Sequence, residues 1–204
     1  MFNFADEVKT ESLTLKEVMR DKTSRTNLII MVIIWSFGSF AFFLVPFYLQ
    51  EIKADIYMLS YATEIAEFLA SVICLFITRI MDLKKAMFLF CTLVCISSVG
   101  MLLFFMYSSD SDESRKSNYI NAGLIMLCNL GTVCAFDIAY LINPTLFPVL
   151  VLSTAYGACN VVGRFVSIFS PVVAKIPNPY PIFILIAFSG FCALLSLRLK
   201  KANI

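Results

Sequence analysis

Histidine is absent from all 204 residues, which excludes histidine-based metal ligation, acid–base catalysis and pH sensing. Charge is scarce: Asp, Glu, Lys and Arg make up only 15% of the chain, where soluble domains carry about a quarter. The polar first stretch has no short apolar core with a small-residue cleavage site, so a signal peptide is not expected. No Asn-x-Ser/Thr acceptor exists, since Asn143 is followed by Pro144. The net charge is +2 and no basic run is long enough to suggest nucleic acid. Also missing are a nucleophile–base arrangement, metal-ligand spacing, a phosphate-cradling glycine loop and a membrane-protease signature. Neither an enzyme nor a cofactor is therefore expected.

Apolar residues are abundant, at 60% of the chain. They lie in stretches of about 20 residues or more, long enough to cross ~30 Å of hydrocarbon. A water-soluble protein of this size has no core that could hide so many all-round apolar helices. The expected fold is an all-α integral membrane protein of six transmembrane helices, because backbone amides cannot be left unpaired in lipid. The spans are placed at 27–49, 56–80, 85–107, 118–142, 146–174 and 180–199. Residues 1–26 form a cytoplasmic N-terminal segment and 200–204 a cytoplasmic tail. Within the first segment, Glu11 to Arg20 alternates apolar and charged residues, which fits either a helix on the membrane surface or a solvated tail.

The connectors alternate in charge. Lys9, Lys16, Arg20, Lys22, Arg25, Arg79, Lys84, Lys85, Arg198, Lys200 and Lys201 fall on one side, against Lys53, Arg115, Lys116 and Lys175 on the other. The positive-inside rule then puts both termini in the cytoplasm, which requires an even number of spans. The plasma membrane is favoured over an internal one. The acidic and polar loop from Ser108 to Ser117 is expected outside and solvated. Seven cysteines all fall within apolar segments, the pattern of small packing residues rather than of disulfides or a Cys91/Cys95 ligand pair.

Ionisable groups in hydrocarbon are expensive and each requires a reason. Ser60, Glu64, Glu67, Ser71, Cys74 and Thr78 recur at steps of three and four, so they share one stripe of the second helix. That stripe is either a substrate or ion pathway or a structural seam between helices. In the fifth helix Asn160 and Ser167 lie on the face of Arg164. The neighbouring stripe Ala155, Cys159, Gly163, Ser167, Pro171 is small at every fourth position, which lets a second backbone approach. One flank is thus expected to pack tightly and the other to be polar around Arg164. Glu64 lies ~12 Å and Arg164 ~15 Å from the outer ends of their helices at 1.5 Å per residue, so a Glu64–Arg164 pair is geometrically open. Asp137, near the inner end of the fourth helix, is expected to meet Arg79, Lys84 or Lys85 in a structural or gating role.

Two segments carry a family resemblance. AFDIAYLINPTLFPVLVLSTAYGACNVVGRFVSIFSP, from Ala135 to Pro171, resembles the tenth and eleventh helices of the organic cation/anion/carnitine transporter group of the major facilitator superfamily. YATEIAEFLASVICLFITRIMD resembles its eighth, with Glu64-Ile65 and Arg79 on matching positions. The likeness runs from the LTLKEVMRD lead-in to the last helix. Thr145 stands where the family has Glu, Leu152 where it has Arg, and Met81 where it has Gly. The resemblance implies one six-helix half of a twelve-helix secondary transporter. Arg164 matches a position that is commonly Arg in anion and carnitine members and Asp in cation members, implying an anionic or zwitterionic substrate, whereas Glu64 and Glu67 argue the other way unless one of them neutralises Arg164.

On this reading the partners are the lipid bilayer and a small organic ion. Arg164 and Asn160 bind the charged part of the solute. Glu64 and Glu67 line the same cavity, where a carboxyl can carry a proton. Substrate in this fold sits between two halves, so either a missing N-terminal six-helix half or a second copy of the chain would complete the site. Three alternatives stand: a piece of a full transporter, a half-size transporter acting as a dimer, and a non-transporting scaffold or regulatory subunit.

Overall fold

The computed structural model describes residues 22–50, 56–108, 115–147 and 149–199. The segment Glu11 to Arg20, the loop centre 109–114 and the tail 200–204 lie outside the described residues. The described chain is helical: α1 Lys22–Gln50, α2 Ile56–Ile80, α3 Leu83–Ser108, α4 Arg115–Leu146, α5 Val149–Ser167, α6 Ser170–Ala174 and α7 Tyr180–Leu197. Among the described residues five helical stretches are long and apolar enough to cross a membrane, namely Lys22–Phe47, Leu83–Tyr107, Ile120–Leu146, Val151–Ala174 and Tyr180–Leu197. The helix α2, with 25 residues, is also long, but it carries Glu64 and Glu67 near its middle.

Two prolines shape the elements differently from the expected spans. The fifth expected span, 146–174, divides into α5 and α6. Pro171 has no N–H to give the Ser167 carbonyl, and its ring crowds that carbonyl, so α5 stops at Ser167. The short α6 restarts with Pro171 in its first turn, where the missing donor costs nothing. Buried Ser170 then donates its hydroxyl to the Phe40 carbonyl at 2.9 Å and fixes α6 to α1. Conversely, α4 was expected to end at 142 but continues through Pro144 to Leu146. Pro144 frees the Tyr140 carbonyl, and the Tyr156 hydroxyl of α5 donates to it at 2.6 Å. A replacement donor allows the helix to persist past the proline. Tyr156→Phe is expected to cost about 1 kcal/mol, the net worth of one hydrogen bond, read as a lower thermal midpoint of the purified protein in detergent. An unchanged midpoint would mean that the carbonyl finds another donor.

The helices α1 and α4 form the centre. α1 packs on α5, α4, α6 and α7, while α4 packs on α3, α2 and α1, and α3 also packs on α7. The core between them includes Met31, Trp35, Phe37, Met87, Phe90, Ile125, Ile138 and Ile142, all fully buried. All seven cysteines are free thiols, six of them buried and Cys95 half-buried, consistent with packing residues. The start of α1, the start of α3 and the end of α7 meet at one end of the bundle. There Lys84 donates to the Leu199 carbonyl at 2.7 Å, and Lys22, Thr26, Leu197 and Arg198 line a shared cleft.

Candidate functional site

The small-residue stripe of α5 faces α1. Ala155, Cys159 and Gly163 are buried. A Cβ on Gly163 would stand 2.9 Å from Trp35 Cδ1 and 3.0 Å from Ser39 Oγ, so glycine is what lets the two helices meet. Arg164, the next residue, emerges on the open side of α5 and is exposed. Its guanidinium carbon lies 5.8 Å from the centroid of the Phe43 ring on α1, within cation–π reach. Among the described residues no carboxylate pairs with it. The packed flank and the cationic flank therefore lie side by side, as the stripe implied.

Asn160 does not reach toward Arg164 through its amide nitrogen. That group donates to the Tyr156 carbonyl of its own helix at 3.1 Å. The Ser167 hydroxyl likewise turns back to the Arg164 carbonyl at 2.8 Å. Glu64 is exposed on α2, and α2 rests on α4 rather than on α5. Glu64 and Arg164 thus stand on helices that share no packed interface, and the structure does not bring them together.

The polar stripe of α2 is largely a seam against α4. Glu67 accepts from Asn129 Nδ2 at 3.4 Å. Cys134 Sγ lies 3.3 Å from the Ala70 carbonyl. Ser71 Oγ donates to Asp137 Oδ2 at 3.4 Å. Numbers rise together along both helices, so α2 and α4 run parallel. Further along, Thr78 bonds the Cys74 and Leu75 carbonyls of its own helix. Of the two readings of this stripe, the seam holds for Glu67 and Ser71, while Glu64 is left open.

Asp137 was expected to meet Arg79, Lys84 or Lys85. Its partner is instead Ser71. Arg79 and Lys85 are exposed, and Lys84 is engaged at the Leu199 carbonyl. The physical reason is register: parallel packing places Asp137 level with Ser71, two turns before Arg79. Lys84 instead holds the chain just past the end of α7 at the Leu199 carbonyl, on the side where the helix dipole favours a cation.

Sequence reasoning missed an aromatic cluster and one amide. Trp35 stacks in a tilted contact on Tyr140 at 4.2 Å and meets Phe136 and Tyr156 edge-on at 5.6 Å each. Phe136 and Tyr140, one turn apart on α4, were the available signal. Asn129 is fully buried, and while its Nδ2 serves Glu67, its Oδ1 has no donor among the described residues.

Fold and apolar length together define an all-helical, multi-pass membrane protein. Compared with known protein families and with curated proteins, the chain matches none.

Proposed function

We propose that the chain is a six-helix half of a secondary transporter for small organic ions, with α2 as its sixth span. The observation that carries this reading is Arg164. It is an exposed guanidinium within the apolar stretch Val151–Ala174, lying over an aromatic ring and without a carboxylate partner among the described residues. A cation kept at membrane depth at such cost marks a solute pathway. An anionic or zwitterionic organic ion supplies the charge that the helix lacks. Asn160 flanks that path on α5, while Glu64 stands apart on α2. Glu67 and Asp137 belong to the wall behind it, and Arg79 and Lys84 to the end that the charge bias assigns to the cytoplasm.

The surroundings of Arg164 support an incomplete site. Large apolar side chains on α2 and α5, among them Tyr61, Phe68, Val161 and Phe165, are each more than 60% exposed. Lipid covers part of such a surface. A second six-helix body, either an N-terminal half or another copy, would cover the rest and close a midplane site. The test is uptake of labelled organic anions, zwitterions and cations into membranes carrying the protein, with Arg164→Ala beside the wild type. Loss of anion uptake in the variant supports the reading. Unchanged kinetics across the panel would remove Arg164 from the site. Absence of both uptake and solute-dependent thermal stabilisation in the wild type would favour a scaffold or regulatory subunit.

A further inference from the structure

We infer that Glu67 and Asn129 form a proton-binding site, an acid–amide pair that joins α2 to α4 when Glu67 carries a proton. The inference is independent of solute transport and rests on the unequal treatment of the two ends of one buried amide. Asn129 Nδ2 donates to Glu67 Oε1 at 3.4 Å, a long contact for a bond to a carboxylate. Asn129 Oδ1, in the same amide plane, has no donor among the described residues, although the residue is fully buried. An ionised carboxylate only accepts, so it cannot serve that oxygen. A protonated one presents both an acceptor and an O–H donor. It can then return a bond from Oε2–H to Oδ1 while Oε1 keeps the bond from Nδ2. One proton thus satisfies the orphaned oxygen and closes a two-bond ring across the seam.

Among the described residues no cation near Glu67 offers an alternative to the proton. On α2 itself the flanking charges are Glu64, one turn earlier and of the same sign, and Arg79, ~18 Å further along the axis. On α4 they are Asp137, already held by Ser71, and Arg115 and Lys116, which begin the helix ~20 Å from Asn129 along its axis. The charges of α1 are Lys22 and Arg25, and those of α3 are Lys84 and Lys85. All four lie in first turns at the end of the bundle shared with α7. The proton comes from water and returns to it. Its arrival changes a carboxylate to a carboxylic acid and makes one bond, and its departure leaves Oδ1 facing an oxygen without a hydrogen. Protonation therefore tightens α2 on α4, and proton release loosens it.

Infrared difference spectroscopy of the full chain in lipid nanodiscs, titrated with pH and with no solute present, tests this directly. The expected result is a carboxylic-acid carbonyl band that appears on acidification, is lost in Glu67→Gln, and is unaltered in Glu64→Gln. In Asn129→Leu the band should persist but move, because the acid has lost its amide partner. Glu67→Asp provides a second probe, since it keeps the acid on a shorter arm and should also shift the band. A band that survives unchanged in Glu67→Gln, or no titrating acid band in the wild type, would overturn the site. A band lost in Glu67→Gln but unmoved in both Asn129→Leu and Glu67→Asp would overturn the acid–amide pair. Because the measurement uses no solute, failure of the uptake experiment leaves this result standing, and the reverse also holds.

Discussion

Gly163→Leu is expected to separate α5 from α1 while leaving both helical. Even a bare Cβ at this position would meet Trp35 Cδ1 at 2.9 Å and the Trp35 carbonyl at 3.5 Å. Trp35 cannot retreat, since Tyr140, Phe136 and Tyr156 hold its ring on the remaining sides. Overpacking a confined position costs about 1–3 kcal/mol and occasionally more. A leucine wedged against a backbone carbonyl and an immobile indole falls at or beyond the upper end. In a bilayer each helix keeps its own hydrogen bonds, so the loss is one of association. Far-UV circular dichroism should therefore hold while the emission of Trp35 changes. Trp35 is the chain's one tryptophan, so fluorescence reports on this interface without a label. Gly163→Ala should show a smaller change of the same sign. Native-like emission in the leucine variant would mean that α1 and α5 are not held by close approach.

The two interfaces flanking the α1–α4 centre are built on different physics. The α1–α5 contact is close and apolar, fixed by Gly163 on Trp35, and the adjoining α6 is tied to α1 by the buried bond from Ser170 to Phe40. The α2–α4 contact is a row of polar pairs, of which the bonds to Glu67 and Asp137 are each 3.4 Å long. Local opening draws on the elements held by few buried apolar contacts. α2 is thus the element with the lower cost of displacement, and α5 presents Arg164 from the more rigid side. On the proposed transport reading, the fixed cation would recognise the solute while the polar seam on the far flank yields.

How much of this was legible in the residues varied with the range of the forces involved. The α2 boundaries, 56–80, coincide with the expected span, because flanking charges and the apolar run are local signals. The small stripe on α5 was also legible, since a four-residue period of small side chains has one geometric meaning. The continuation of α4 past Pro144 was not, because the donor that rescues Tyr140 comes from Tyr156 on another helix. Pro171 carried the signal for the break after Ser167, although Val151–Ala174 still forms one stretch long and apolar enough to cross a membrane. Asp137 was assigned by its distance from the helix end, which fixes depth but not azimuth. Its pairing with Ser71 depends on the parallel register of α2 and α4, which depth alone does not contain. Arg164 was legible as a lone cation within an apolar run, yet the ring beneath it, Phe43, belongs to a helix more than 100 residues away in sequence.

Arg164→Ala is expected to reduce affinity for an organic anion by roughly 10- to 100-fold. A charge-assisted hydrogen bond is worth about 1.5–3 kcal/mol, and each 1.4 kcal/mol is close to tenfold. The packing of α5 should be spared, since Arg164 is exposed and the buried stripe beside it is untouched. The variant should therefore keep wild-type Trp35 emission, in contrast to Gly163→Leu. Arg164→Lys separates charge from shape. It retains the positive charge but loses the planar fork that meets a carboxylate at two points and lies flat on an aromatic ring. Partial recovery with lysine, confined to anions, would assign recognition to charge. No recovery would assign it to the bidentate geometry held over Phe43. Phe43→Leu should then weaken binding by a smaller factor, in keeping with the 0.5–1 kcal/mol of an exposed cation–π contact, roughly two- to fivefold. Equal affinities for anions in wild type, Arg164→Ala and Arg164→Lys would place the solute elsewhere on the molecule, whatever the uptake rates.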